Sequence, residues 1–342
     1  MVGEPVLVAG QVATYLHSAN FSASRSLFAY RPGKVGLGIS TLAWFDRQGK
    51  ELGAAGEPGM SVYLDVALSP DGSTVAESRA DANASAPRIW LLDLARGVSA
   101  RFTFDLGEDV APTWSPDGSR VAFAASRPGG IGIYQKAANG AGKEETLIAP
   151  SGDPMYPEDW SRAGRFLLYS REDAKTRSDL WVLPRSNDGM ALGSPIAFAN
   201  SEFNENLGRF SPNGHWITYV SDESGKSEVY VQPFPASAGG GGKLQISRNG
   251  GRQPHWRRDS KELFYVSLDG KMMAVDIAGD SSIKAGVPHT LFEIARGQEQ
   301  SEFYDLRWDV TSDGKRFLIS MAKTSPEALT VVLNWTAGLK KK

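Results

Sequence analysis

Side chains able to do chemistry are few in this chain, and most stand alone. The 342 residues hold four histidines, His17, His215, His255 and His289, and no cysteine. No two histidines share an i, i+4 spacing, and none has a carboxylate at metal-ligand distance in sequence, so each reads as a structural or surface residue. Without cysteine there is no disulfide, thiolate metal site or thiol nucleophile. No Gly-x-Ser-x-Gly nucleophile elbow, Gly-rich nucleotide loop or His-Arg-Asp catalytic loop occurs. The residues therefore offer no catalytic group, no metal site and no cofactor site.

One series does suggest a site. Asn20, Thr113, Asp159, Arg209, His255 and Asp309, together with Ala67, each stand immediately before a large residue, almost always apolar, that opens a turn. Strand alternation places this position opposite the large residue, near the innermost edge of its sheet. Neighbouring units would then set Asp159 beside Arg209 and His255 beside Asp309. A structural ring of hydrogen bonds and ion pairs accounts for such a pattern, and so does a ligand-binding ring; both readings stay open.

The turns that fix this register run through the whole chain. Leu68-Ser69-Pro70-Asp71-Gly72 and Trp114-Ser115-Pro116-Asp117-Gly118 are the clearest. Trp160-Ser161-Arg162-Ala163-Gly164, Phe210-Ser211-Pro212-Asn213-Gly214, Trp256-Arg257-Arg258-Asp259-Ser260 and Val310-Thr311-Ser312-Asp313-Gly314 follow, with a degenerate copy at Phe21-Ser22-Ala23-Ser24-Arg25-Ser26. Proline presets φ at the second turn position, Asp or Asn bonds its own backbone, and Gly takes a positive φ. The recurring Asp is thus a turn former rather than part of a carboxylate cluster. Arg162-Ala163 and Ser260 depart from the pattern and weaken the expectation of a turn there. Apolar strings follow each corner, as in Val121-Ala122-Phe123 and Phe264-Tyr265-Val266, and read as strands.

A period of about 40–50 residues with four short strands per unit predicts an all-β fold: a seven-bladed β-propeller of four-stranded antiparallel blades, with six blades as the alternative. The whole chain, 1–342, forms one domain, with 340–342 as a tail. The last unit ends on Val331-Val332-Leu333-Asn334-Trp335 without a fourth strand. Gly3-Glu4-Pro5-Val6-Leu7-Val8 is similar to the fourth strands at 193–198 and 286–291. Residues 1–12 are therefore expected to complete the last blade and close the ring, which removes an exposed sheet edge. Tryptophans 114, 160 and 256 share one repeat position and read as packing between blades.

Composition sets the remaining bounds. With 41% hydrophobic and 22% charged residues the chain can bury a large core. A net charge of −2 and the lack of a basic stripe, beyond Lys340-Lys341-Lys342, argue against nucleic acid. No apolar run is long enough to span a bilayer. The start lacks the basic and apolar regions of a signal peptide, which leaves a cytoplasmic protein or a piece of a longer one as the expectation. A monomer is expected.

The Ser-Pro-Asp-Gly corners, with an aromatic or Leu before Ser and an apolar strand after Gly, resemble the propeller repeat of the TolB-like family over nearly the whole chain. The strings 42–53, 89–97 and 331–339 are similar to the C-terminal propeller region of bacterial serine/threonine protein kinases. That resemblance implies a non-enzymatic binding or sensing module, periplasmic or otherwise extracytoplasmic, meeting a protein, peptide or small ligand at a propeller face or in the channel. The kinase motifs are missing, so no kinase activity carries over. The alternative is the propeller part of an enzyme: a gating domain of a prolyl-oligopeptidase-like hydrolase, or a propeller lyase.

Overall fold

A computed structural model describes residues 14–15, 18–19, 21–24, 26–30, 40–56, 61–81, 86–185, 193–235, 242–279, 282–294, 307–322, 330–333 and 335–336. The corners are built as their residues dictate. At 69–74, Ser69 N–H donates to Thr74 O at 2.8 Å and Gly72 N–H to Ser69 O at 2.8 Å, while Asp71 Oδ1 accepts Ser69 Oγ–H at 2.6 Å and Ser73 N–H at 3.0 Å. Gly72 takes φ +73°, a region where a side chain would be strained. The two departing corners close in the same way. Ser161 N–H reaches Phe166 O at 2.9 Å and Gly164 N–H reaches Ser161 O at 2.7 Å, and Ser260 itself adopts φ +61°. A tight reversal thus needs the backbone pattern more than the Asp.

Each corner joins the two innermost strands of an antiparallel sheet. Blades 1 to 4 run over residues 61–101, 109–148, 155–199 and 205–245, each with four strands in chain order from the inside outward. Blade 5 (252–293) has five strands, because both Lys284–Ala285 and His289–Glu293 pair with Lys271–Ala278. The second strands are the most buried: Glu262–Val266 and Trp216–Ser221 are buried at every position. Phe123, Phe264, Phe317 and Tyr219 are fully buried, each contributing about 2–3 kcal/mol of apolar burial.

Blade 6 draws on both ends of the described chain. Its inner strands are Trp308–Val310 and Arg316–Ala322, and its outer strands are Ser40–Asp46 and Glu51–Ala54 from the other end of the chain. Seven residue pairs, from Arg316 with Asp46 to Ala322 with Ser40, set the register. Leu42 and Leu318 pack with Val75 and Leu92 of blade 1, while Trp308 and Phe317 pack with Phe264 and Phe292 of blade 5. Arg47 fastens the hairpin: Nη2 donates to Glu262 Oε1 at 2.6 Å, and Nη1 donates to Glu262 Oε2 at 3.1 Å and to Gly314 O at 3.0 Å. Glu262 also receives Arg257 Nη1–H at 2.7 Å.

Among the described residues, then, six sheets contribute inner strands to the channel lining. The degenerate first unit stands apart: Phe21–Ala23 and Leu27–Tyr30 form a three-stranded sheet with Thr330–Leu333, where Phe28 meets Trp335 at 5.8 Å between ring centroids. The 40–46 strand takes the open edge of the last inner pair. The exposed backbone of Arg316–Ala322 requires a partner, and the 40–46 strand supplies both the hydrogen bonds and the apolar face that blade 1 accepts. Residues 1–12, expected to close the ring, lie outside the described residues.

Candidate functional site

Six inner strands converge on one channel, and an irregularity in them decides which side chains face it. Their pairing with the second strands slips between Val110 and Thr113, Pro157 and Asp159, Asn206 and Arg209, and Arg252 and His255. These are β-bulges, which add a residue and re-aim side chains. Ala111, Leu207 and Gln253 sit at corresponding bulge positions with φ of 53°, 54° and 52°. As a result, residues two and three before the large residue reach the channel along with the one directly before it. The central cavity is about 330 Å³ and is lined by Asp65, Thr113, Glu158, Asp159, Arg209, His255, Arg307 and Asp309.

Carboxylates stitch three of the inner strands, those of blades 1, 3 and 6, to the next blade. Asp65 accepts Ala111 N–H at 3.0 Å, Asp159 accepts Phe210 N–H at 2.8 Å, and Asp309 accepts Leu68 N–H at 2.7 Å. Glu158 accepts Leu207 N–H at 3.3 Å. The bulge N–H groups of Ala111 and Leu207, and those of Phe210 and Leu68 on the channel-side edge, are thereby satisfied, as buried N–H groups must be.

Of the expected neighbours, His255 and Asp309 do meet: Nδ1 lies 3.2 Å from Oδ1, and the imidazole packs on Trp308 at 4.3 Å between centroids. Burial pushes the His255 pKa below its usual value, with Asp309 acting against that shift. Burial would raise the Asp309 carboxyl, but the His255 hydrogen bond and charge and the Leu68 and Val310 N–H groups together hold it below its usual value. Arg209 is placed differently from expectation. Its guanidinium turns to Glu158, donating to the main-chain oxygen there and to Gly208 O at 2.9 Å, and standing 3.6 Å from Glu158 Oε2. Asp159 makes its hydrogen bond with the backbone instead. Burial raises it to about 6, opposed by Arg209 and by the Phe210 and Trp160 N–H groups, with Asp309 across the channel adding to the rise. The Thr113 hydroxyl donates to Pro157 O at 3.4 Å. Asn20 lies outside the described residues.

The residues that sequence reasoning missed are Asp65, Glu158 and Arg307. Two-residue alternation hides Glu158, which stands next to Asp159, and a bulge leaves no sequence mark beyond the Gly and Pro that flank some of these positions; Asp65 and Arg307 share the face of Ala67 and Asp309 but lie two residues further from the corner than the single position read there. At the end where the inner strands begin, the channel opens into a mouth of about 820 Å³, sharing Asp65, Glu158 and Arg307 with the central cavity and adding Tyr156, Glu172 and Asp173. Burial and the charges of Glu172, Glu108 and Asp65 push the Tyr156 phenol up to about 12. Arg307 stands 3.6 Å from Asp65. At the opposite end, a cavity of about 520 Å³ lies among the corners. Among the described residues no cluster of three or more His, Asp or Glu could hold a metal ion, and no helix is long and apolar enough to cross a membrane.

No family model matches the chain. An uncharacterized protein of Agrobacterium fabrum is 26% identical over 137 residues, which is 39% of this chain and 46% of that protein. The match thus spans less than half the length of that curated relative. A solved structure assigned to TolB of Agrobacterium tumefaciens is 18% identical with a TM-score of 0.63, covering 84% of this chain and 99% of that one. TolB of Acinetobacter baumannii is 17% identical with a TM-score of 0.54, covering 88% and 68%. At these identities the likeness speaks for the architecture, and the fold is a β-propeller of the TolB-like kind.

Proposed function

We propose that this chain is a non-enzymatic binding or sensing module whose ligand, a protein, a peptide or a small molecule, enters the channel through the mouth formed by Asp65, Glu158, Glu172 and Asp173. The observation that carries the reading is the continuity of that mouth with a central cavity lined by partly buried charged side chains. Propellers bind at such openings because rigid blades hold loops and inner-strand residues from every repeat around one axis. The strings that resemble kinase-associated propellers favour the extracytoplasmic part of a receptor-type serine/threonine kinase, or a stand-alone TolB-like scaffold, acting as a monomer. The fold alone carries none of this specificity.

A ligand-stabilisation screen on the purified chain tests the reading. Compounds or peptides that raise the melting temperature are expected to lose that effect in Asp65→Asn and Glu158→Gln. Ligands unaffected by either change would place binding elsewhere. The enzyme alternative separates cleanly: phosphotransfer, ester cleavage or polyuronate cleavage that a single channel substitution abolishes would replace the binding reading with a catalytic one.

A further inference from the structure

The corners contain a departure that their own geometry leaves unused. The second turn positions of the six corners are Pro70, Pro116, Arg162, Pro212, Arg258 and Ser312, and all six line the cavity of about 520 Å³ at the corner end of the channel. Proline there stiffens the turn by presetting φ. Arginine does not, yet the turns at 161–166 and 257–262 close with the same backbone hydrogen bonds, Arg257 N–H reaching Glu262 O at 2.9 Å and Ser260 N–H reaching Arg257 O at 2.9 Å. What arginine adds is a guanidinium at the rim.

The two guanidiniums have donors to spare. Arg258 reaches from blade 5 to blade 1, where Nη1 donates to Pro70 O at 3.1 Å, and that bond fixes the side chain across the opening. Arg162 is exposed and makes no hydrogen bond or ion pair among the described residues. Acidic groups at the rim are already engaged within their own turns. Asp71 accepts from Ser69 and Ser73, and Asp313 accepts Thr311 Oγ1–H at 2.6 Å and Lys315 N–H at 3.0 Å. Deeper in, Asp159 and Asp309 form the floor of the same cavity and repel an anion from the channel itself.

We propose that Arg162 and Arg258 form a site for a carboxylate-bearing ligand at the corner mouth, separate from the mouth invoked above. Guanidinium matches carboxylate with two parallel N–H donors, which a lysine could not supply. The floor carboxylates set the depth, so the bound group stays at the rim.

Isothermal titration with two probes tests the site: citrate, and a short end-blocked peptide of glutamates. At least one is expected to bind saturably to the parent chain, about tenfold more weakly to Arg162→Pro or Arg258→Gln, and more weakly still to the double variant. Citrate alone points to a free polycarboxylate, and the peptide points to an acidic protein segment. Arg162→Pro restores the residue that blades 1, 2 and 4 use, so its thermal midpoint is expected at or above that of the parent. Weaker binding therefore cannot come from misfolding. Failure of both probes to bind, or equal binding to parent and variants, would overturn the proposal. Neither result bears on the opposite mouth.

Discussion

Asp159 and Asp309 occupy the same position of the repeat three blades apart, and the channel treats them in opposite ways. Both accept the N–H of the large residue on the following blade, Phe210 in one case and Leu68 in the other. Yet Asp159 is held up at about 6 while Asp309 is held below its usual value. The preceding blade makes the difference. It offers Asp309 an imidazole N–H from His255, whereas its counterpart Thr113 spends its hydroxyl on Pro157 O. On the following side, the cation that could compensate Asp159 is drawn to Glu158. One donor per seam thus decides whether a buried carboxylate sits comfortably as an anion.

The largest effect should come from removing the satisfied carboxylate. Asp309→Ala strands the Leu68 N–H and the His255 donor in a region where the Asp309 side chain is only 18% exposed. It should cost about 3 kcal/mol in urea unfolding at neutral pH. A loss within experimental error of zero would mean that the seam between blades 6 and 1 does not depend on this residue.

Asp159→Asn should do the reverse. The folded-state pKa lies above the ordinary value of 3.8, at about 6, so the folded protein binds the proton more tightly than the unfolded chain. Stability attributable to this group therefore falls as pH rises from about 4 to 6 and stays reduced above that. Asparagine removes the buried charge while keeping an acceptor for the Phe210 N–H, and a net gain of about 2 kcal/mol is expected at pH 7. The gain should vanish below pH 4. Asp309, with a lowered pKa, gives the opposite trend: its stabilisation is present at neutral pH and is lost only as acid titrates the folded carboxylate. A variant no more stable than the parent at pH 7 would show that Arg209 neutralises Asp159 after all.

His255→Thr would convert one seam into the other. With the imidazole donor gone, Asp309 should resemble Asp159 and titrate above its ordinary value, a change followed by carboxyl-carbon NMR. The imidazole also carries its own linkage. Its lowered pKa makes the native state lose stability as pH falls below about 6.5. That loss should be missing in the variant.

The contrast between these seams was only half legible in the sequence. The corners announce themselves because proline, Asp or Asn, and Gly are required by φ and by local hydrogen bonds. With the corners fixed, alternation places His255 beside Asp309. Alternation fails at Glu158 because a bulge adds a residue between Pro157 and Asp159, and bulges answer to inter-blade packing rather than to local residue types. Ring completion was hidden for a similar reason. Residues 3–8 and 42–46 both read as strands, and their local patterns cannot say which lies on Arg316–Ala322. The fit of Leu42 between Leu318 and Val75, and of Arg47 onto Glu262, settles that in three dimensions.

The smallest effect, and the finest test of the comparison, concerns where Arg209 spends its charge. If the guanidinium belongs to Glu158, a double-mutant cycle of Arg209→Gln with Glu158→Gln should give a coupling of about 1 kcal/mol, because the pair is 28% and 10% exposed and only moderately screened. The same cycle with Asp159→Asn should give a smaller value, carried by charge at a distance rather than by a shared hydrogen bond. Both cycles are best measured at pH 8, where Asp159 is fully ionised and its share is greatest. A coupling to Asp159 that equals or exceeds the coupling to Glu158 would return Arg209 to the partner that simple alternation assigns it. The raised pKa of Asp159 would then need a cause other than the missing donor on the preceding blade.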